Sequence, residues 1–493
     1  MTRRGAGLVL QSSLRGRLQF LLKDSVLYGG ATAVARLLSI FTVPILARLF
    51  SRTEFGVVDA LAVLGTVFVP LMTMGQDSAV ARFFYEQEDE RERREVISQS
   101  LLFELALIAA CTAGLYLFAG PLMQALFSSG DQAPAFRVVA LSLPFQVLLN
   151  YGQNILKWTF NRWRFLFVSI GSVALTVALT LVFVVILRRG ILGVFYAQLA
   201  SRVIFAAVGL FFCRSWFVRP AHYRHLFPMF QFGWPYMLLG VSGCLMPMID
   251  RYFIVNRLSL EAMGLYAAGA KLAMLIQLPI QGFQTAWGPF AFAIYKDAKA
   301  SQTYDAVLLC YTAGLCLAGY LLVALARPLL LVLVSAKYLE SQFLVLPMVL
   351  ALIIDSLSWI TGIGIDISKK TPMAVISYAA GVAGTVAAMA LLVRPFGLMG
   401  AAYAMVIGRL ILTVTKTFLA HRLYPLAFHY ARPAGLILAS FGMNLLTDRY
   451  LPFSWSPGPI AVRVLLAVVL ALVACRWLAA GRAERQAAAA RPA

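Results

Sequence analysis

The chain has 493 residues, of which 61% are hydrophobic and 13% charged, and its mean hydropathy is +0.81. An ordinary soluble domain has about 45–50% apolar and 25% charged residues, so a soluble enzyme and a single-anchor protein with a large globular head are excluded. The formal charge of +21 reads as the Lys/Arg excess of membrane-protein loops rather than as nucleic-acid binding, for which no recognition motif is present.

Apolar stretches predict fourteen spans in chain order: 25–47, 56–75, 97–118, 136–156, 166–187, 191–212, 229–250, 263–285, 305–326, 342–362, 373–393, 398–418, 433–448 and 459–479. The expected fold is an all-α polytopic membrane protein. Lys and Arg distribute 25 to 10 between alternate sets of loops, with the N-terminus and the tail on the richer side. The positive-inside rule then places both termini in the cytoplasm. The six cysteines, at 111, 213, 244, 310, 316 and 475, form no CxxC and read as buried hydrophobes.

Two polar stretches interrupt the spans. Glu86–Glu95 (EQEDERERRE) reads as a solvated helical extension, and Arg214–Pro235 as an amphipathic linker at the interface. His222 and His225 stand three apart with no carboxylate or cysteine close by in sequence, so no metal site is expected.

The second half of the chain repeats the first at an offset of 207. Pro121-Leu122 matches Pro328-Leu329, Gly190, Gly193 and Tyr196 match Gly397, Gly400 and Tyr403, and Arg202 matches Arg409. Gly56 matches Gly264 at 208. The expected organisation is a cytoplasmic N-terminal segment (1–24), an N-lobe of six helices (25–213), a cytoplasmic linker (214–228), a C-lobe of six helices (229–418), helices 13–14 (419–479) and a cytoplasmic tail (480–493). Six helices is an even number, so the halves insert with the same orientation. Their pseudo-two-fold axis then lies along the membrane normal, an arrangement that places a substrate path between the halves and favours alternating access.

Ionisable residues within spans are costly and point to function. Arg36 and Lys271 lie about 18 Å and about 14 Å from the same membrane face at 1.5 Å per residue, one in each half. Two cations at one depth suit an anionic substrate, unless each pairs with an aspartate such as Asp59 or Asp250. Arg251 is the third substrate-binding candidate. Asp59, Asp77, Asp250 and Asp355 are candidates for coupling or ion pairing. Arg202 and Arg409, at equivalent repeat positions, are expected to bond between helices, and Glu104 to pair with an arginine. Helix 7, with Pro235, Pro247, Gly233, Gly240 and Gly243, is expected to bend. No GxxxxGK[ST], HExxH, GxSxG or dinucleotide fingerprint occurs, and no cofactor is expected.

Several stretches resemble the polysaccharide repeat-unit flippases, the Wzx-type branch of the superfamily that includes multidrug and toxin extrusion (MATE) transporters. They are Ala47-Arg48-Leu49-Phe50 with Glu54-Phe55-Gly56, Gly75-Gln76-Asp77 with Arg82-Phe83-Phe84-Tyr85, Asp250-Arg251-Tyr252-Phe253 with Gly264-Leu265-Tyr266 and Lys271, and Trp287-Gly288-Pro289. Gly362, Gly364 and Lys369-Lys370-Thr371 complete the set. The resemblance implies a MATE-like protein of the bacterial inner membrane that moves a polyprenyl-pyrophosphate-linked oligosaccharide between leaflets, driven by an ion gradient. The implied partners are that lipid-linked substrate, membrane lipids, and a polysaccharide polymerase with its chain-length proteins; nucleic acid is not one. A cation-coupled MATE-type exporter of small molecules is the alternative. Exporters of cationic compounds call for acidic cavity groups, whereas the prominent buried charges here include Arg and Lys.

Overall fold

A computed structural model describes residues 41–477 apart from 128–129, 221, 298, 451–460 and 474, together with 30, 34, 35, 37 and 38. The helices are α1 (Thr42–Leu49), α2 (Arg52–Thr73), α3 (Gln76–Glu86), α4 (Glu90–Leu117), α5 (Ala119–Phe127), α6 (Ala133–Trp158), α7 (Arg162–Thr180) and α8 (Gly190–Cys213). They continue with α9 (Leu226–Arg257), α10 (Leu260–Ala273), α11 (Gln277–Ile294), α12 (Ala300–Ala324), α13 (Ala326–Leu333), α14 (Gln342–Thr361), α15 (Ile363–Ile367), α16 (Thr371–Leu423) and α17 (Ala431–Tyr450). Among the described residues, 10 helical stretches are long and apolar enough to cross a membrane, and the protein is a multi-pass membrane protein. Most of the first expected span, 25–47, lies outside the described residues. The two expected spans at 373–393 and 398–418 are two helices that meet at a break at Gly397, where the backbone is non-helical; α16 denotes the pair.

The 207-residue offset is expressed in the backbone. The short helices α5 and α13 start at equivalent positions, and each follows a long helix, α4 and α12. Gly190 and Gly397, also equivalent, both take a left-handed φ, +58° and +57°, which a residue without Cβ adopts at no steric cost.

Helix α2 starts on a capping box. The Ser51 hydroxyl accepts from the Glu54 N–H at 3.2 Å, and the Glu54 carboxylate accepts from the Ser51 N–H at 2.8 Å. The helix breaks at Met74 and Gly75, both left-handed, before α3 resumes. Helix α9, with Pro235 and Pro247 inside it, runs from Leu226 to Arg257 without a break in its helical residues. The interruptions fall elsewhere, at Met74–Gly75 and at the 3-10 turn Met274–Ile276 between α10 and α11.

The two halves touch at both ends of α2, each time through glycine. A Cβ on Gly56 would stand 2.7 Å from the Gly264 amide nitrogen, and one on Gly264 would run into the Arg52 carbonyl. Gly56 and Gly264 are repeat equivalents. Residues related by a two-fold can meet only near its axis, so the crossing of α2 and α10 marks that axis. At the far end, a Cβ on Gly75 would run into the Gly233 carbonyl of α9. Arg52 reinforces the first seam, reaching Glu261 at 3.3 Å and Glu340 at 3.0 Å.

The linker between the halves is tied down as well. Arg224 pairs with Glu92, and the Gln99 side chain donates to the His222 carbonyl at 2.7 Å and accepts from the His225 N–H at 3.1 Å. The Glu86–Glu95 stretch is therefore a docking surface for the linker besides being solvated.

Replacing Gly264 by Val puts a branched side chain against the Arg52 backbone. Overpacking of this kind costs about 1–3 kcal/mol. The expected outcome is a lower melting temperature for the purified protein in detergent, with Ala at Gly282, where nothing lies within 4 Å of a Cβ, nearly neutral by the same measurement.

Candidate functional site

Arg52, Gly56 and Asp59 recur at i, i+4 and i+7 on α2, so they form one stripe facing the second half. Gly264 and Lys271 stand in the same relation, i and i+7, on α10. The glycine crossing brings these stripes together and aims Asp59 into the second half. There its carboxylate receives two cations. Arg251 reaches Oδ2 through Nε at 3.1 Å and Nη2 at 3.0 Å, while Lys271 Nζ lies 2.9 Å from Oδ1.

Asp250, beside Arg251 on α9, completes the cluster. Its Oδ2 accepts from the Tyr266 hydroxyl at 3.0 Å and lies 3.8 Å from Arg251 Nη1. The Arg251 guanidinium also sits over the Tyr266 ring, 5.3 Å from its centroid. Asp250 Oδ1 is buried and has no hydrogen-bond partner among the described residues.

Burial separates the two cations. The Asp59 and Arg251 side chains are 2% and 7% exposed, whereas that of Lys271 is 35% exposed. Lys271 lines a cavity of about 470 Å³ with Thr42, Met274, Gln277 and Val334. Arg251 is thus a fixed counter-charge: its planar fork holds one carboxylate oxygen by two bonds. Lys271 is a point charge at the cavity wall, able to exchange Asp59 for another anion while Arg251 keeps Asp59 neutralised.

The other expected site residues fall in different places. Arg36 lies outside the described residues. Asp77 is in the first half, accepting from Asn154 Nδ2 at 3.1 Å. Asp355 of α14 pairs with Arg409 of α16 at 3.3 Å. Arg202, the repeat equivalent of Arg409, donates to the Ser142 hydroxyl at 2.6 Å, so both arginines join neighbouring helices. Arg251, one position past the expected span 229–250, is buried, at 6% exposed. Glu104 differs from its expected arginine pairing: it is fully buried, and neither carboxylate oxygen has a hydrogen-bond partner among the described residues. Tyr266 was not anticipated as part of the cluster, although its place in Gly264-Leu265-Tyr266, seven residues or fewer from Lys271, was a usable signal.

A second cavity, about 760 Å³, opens among α12, α14, α16 and α17. Leu357, Val414, Phe418, Phe428, Ile437 and Leu438 make its wall almost wholly apolar.

Residues 21–295 match the profile of the family described as polysaccharide biosynthesis protein. The chain belongs to that family. Lsg locus protein 1 of Haemophilus influenzae is 23% identical over 286 residues, covering 56% of this chain and 67% of that protein. The succinoglycan biosynthesis transport protein ExoT of Rhizobium meliloti is 30% identical over 141 residues, 28% of this chain and 27% of that protein. The fold is similar to that of the lipid II flippase MurJ in an inward closed conformation, with a TM-score of 0.70, 14% identity, and coverage of 92% of this chain and 98% of that one. In this member of the polysaccharide biosynthesis family, then, a MurJ-like fold carries a buried ion cluster where its halves meet.

Removing one partner of a buried ion pair leaves an uncompensated charge and costs about 3–5 kcal/mol, whereas removing both costs much less. Arg251→Ala is expected to lower thermal stability in detergent strongly, and adding Asp59→Ala should recover much of the loss. Lys271→Ala, which leaves Asp59 its arginine, should cost less than Arg251→Ala in the same melts.

Proposed function

We propose that this protein is a flippase for a polyprenyl-pyrophosphate-linked oligosaccharide, the repeat unit of a surface polysaccharide. It moves the unit from the cytoplasmic to the periplasmic leaflet of the bacterial inner membrane, with both termini in the cytoplasm. The observation that carries this reading is Lys271: a half-buried ammonium on a cavity wall at the meeting of the halves, its aspartate already held by Arg251. A pyrophosphate entering a partly dehydrated cavity needs a cation to receive it, because desolvating the anion alone is expensive. Lys271 supplies that charge, and Arg36 is the second candidate from the opposite half. Family membership and the ExoT and MurJ likenesses support the substrate class.

The N-lobe (25–213) and the C-lobe (229–418) alternate access. The Gly56–Gly264 and Gly75–Gly233 contacts act as the two gates, both closed in this structure. The apolar groove beside α17 receives the polyprenyl chain, which a polar cavity cannot hold. An ion gradient drives the cycle with Asp250 as the coupling carboxylate. Its unpartnered Oδ1 can take a proton without breaking an existing hydrogen bond. The unit is then passed to a polysaccharide polymerase and its chain-length proteins.

Deletion of the gene tests this reading. The expected result is loss of a surface polysaccharide together with accumulation of its lipid-linked unit on the cytoplasmic side; unaltered glycans with new drug sensitivity would favour an exporter. At matched membrane levels, Lys271→Ala is expected to abolish polysaccharide export and Lys271→Arg to retain part of it, since position 271 requires charge more than shape. Arg36→Glu should damage export more than Arg36→Gln, because a carboxylate repels the pyrophosphate.

The orientation has its own measurement. Reporter fusions after residues 90 and 220 are both expected to give a cytoplasmic signal, and a periplasmic signal at either reverses the assignment.

A further inference from the structure

Helix α11 carries two glutamines, Gln281 and Gln284, that neither the ion cluster nor the packing uses. Ile280, Trp287 and Ala291 form its buried face. The Trp287 indole N–H donates to the Trp359 carbonyl at 2.9 Å, and Phe283 stacks on Tyr311 with centroids 4.0 Å apart. These contacts fix the rotation of α11 against α12 and α14, and so fix what its other faces present.

At 100° per residue, Gln277, Gln281 and Gln284 fall within an arc of about 60° along the border of the buried face. All three are half-buried. Neither Gln281 nor Gln284 hydrogen-bonds another residue among those described. Along the stretch 277–286 the exposed positions are Pro279, Gly282, Thr285 and Ala286, small or polar; the large exposed groups of α11, Phe290 and Phe292, follow beyond it. Large apolar groups are exposed on other helices, among them Trp163, Ile186 and Leu391. A small, amide-bearing face within an apolar span suits a wet cavity, since an amide facing hydrocarbon would be left without partners.

The track is continuous with the site already described, because Gln277 lines the same cavity as Lys271. From Gln277 to Gln284 it extends about 10 Å along the helix axis. Each amide offers a donor pair and an acceptor, the complement of neighbouring sugar hydroxyls, which both donate and accept. An amide carries no charge, so the track attracts no simple anion or cation.

We propose that Gln281 and Gln284 form the saccharide subsite, hydrogen-bonding the hydroxyls of the sugar joined to the pyrophosphate held at Lys271. This deepens the flippase reading and rests on it. Lys271 recognises what all such substrates share, the pyrophosphate. The glutamines recognise what distinguishes them, and a site built to bond a hydroxyl discriminates strongly against a ligand without it.

The test uses the full-length protein in lipid nanodiscs and two probes: undecaprenyl pyrophosphate, and the same lipid carrying one hexose. The wild type should bind the glycosylated probe more tightly. Gln281→Leu/Gln284→Leu, a pair of changes a membrane helix tolerates, should reduce that preference about tenfold, from two lost hydrogen bonds at about 0.5–1.5 kcal/mol each. Its affinity for the bare lipid should stay near the wild-type value, which also reports that it is folded. A wild-type preference retained by the double variant overturns the subsite, as does a wild type with no preference. Failure of the flippase reading looks different: neither probe binds the wild type, or Lys271→Ala leaves the binding of both unchanged.

Discussion

The structure depends on how closely two membrane-embedded halves can approach. Side chains larger than hydrogen at Gly56 and Gly264 would hold α2 and α10 apart, and Asp59 would then face the cavity without its cations. In an apolar medium there is little water to replace them, so an aspartate on that stripe is tolerable only if the crossing is tight. The glycines and the ion pair are therefore one device. The backbone contact brings the charges into range, and the charges make separation of the halves depend on something else neutralising them.

The two cations of the cluster divide the work by geometry. Arg251 is nearly sealed and bonds Asp59 twice through its fork, with Tyr266 beneath it, so it behaves as part of the wall. Lys271 is half-open and makes a single contact. A transporter needs both kinds of charge: one that keeps the resting site neutral, and one free to change partner. Lys271 makes one of three contacts on Asp59, so the two from Arg251 are enough to keep that carboxylate paired.

The duplication supplies the frame but not this chemistry. Gly190 and Gly397 make the same left-handed turn, α5 and α13 repeat each other, and Arg202 and Arg409 each bond a neighbouring helix. At 207 residues before Lys271 stands Leu64, and at that distance before Arg251 stands Pro44. The site belongs to the seam between the repeats, where a two-fold places different residues of the two copies face to face, so change in one half alone could create it. The glutamines of α11 lie on the helix that continues from the cluster toward the Gly75–Gly233 end.

Composition and apolar runs determined the fold class and the spans between 56 and 418, because hydrophobic length is a local property that each helix satisfies alone. The 207-residue offset was equally legible, since matching prolines and glycines need no coordinates. Arg251, Lys271, Asp59 and Asp250 could be singled out one by one as charges in apolar surroundings, yet their pairing could not be read. Asp59 meets Arg251 across 192 positions, and that meeting depends on the rotation and crossing of α2, α9 and α10. The same limit explains the misreading of Glu104, given an arginine it does not meet. Sequence decides which residues are costly to bury; only the packing of one helix against another decides which partner each one finds.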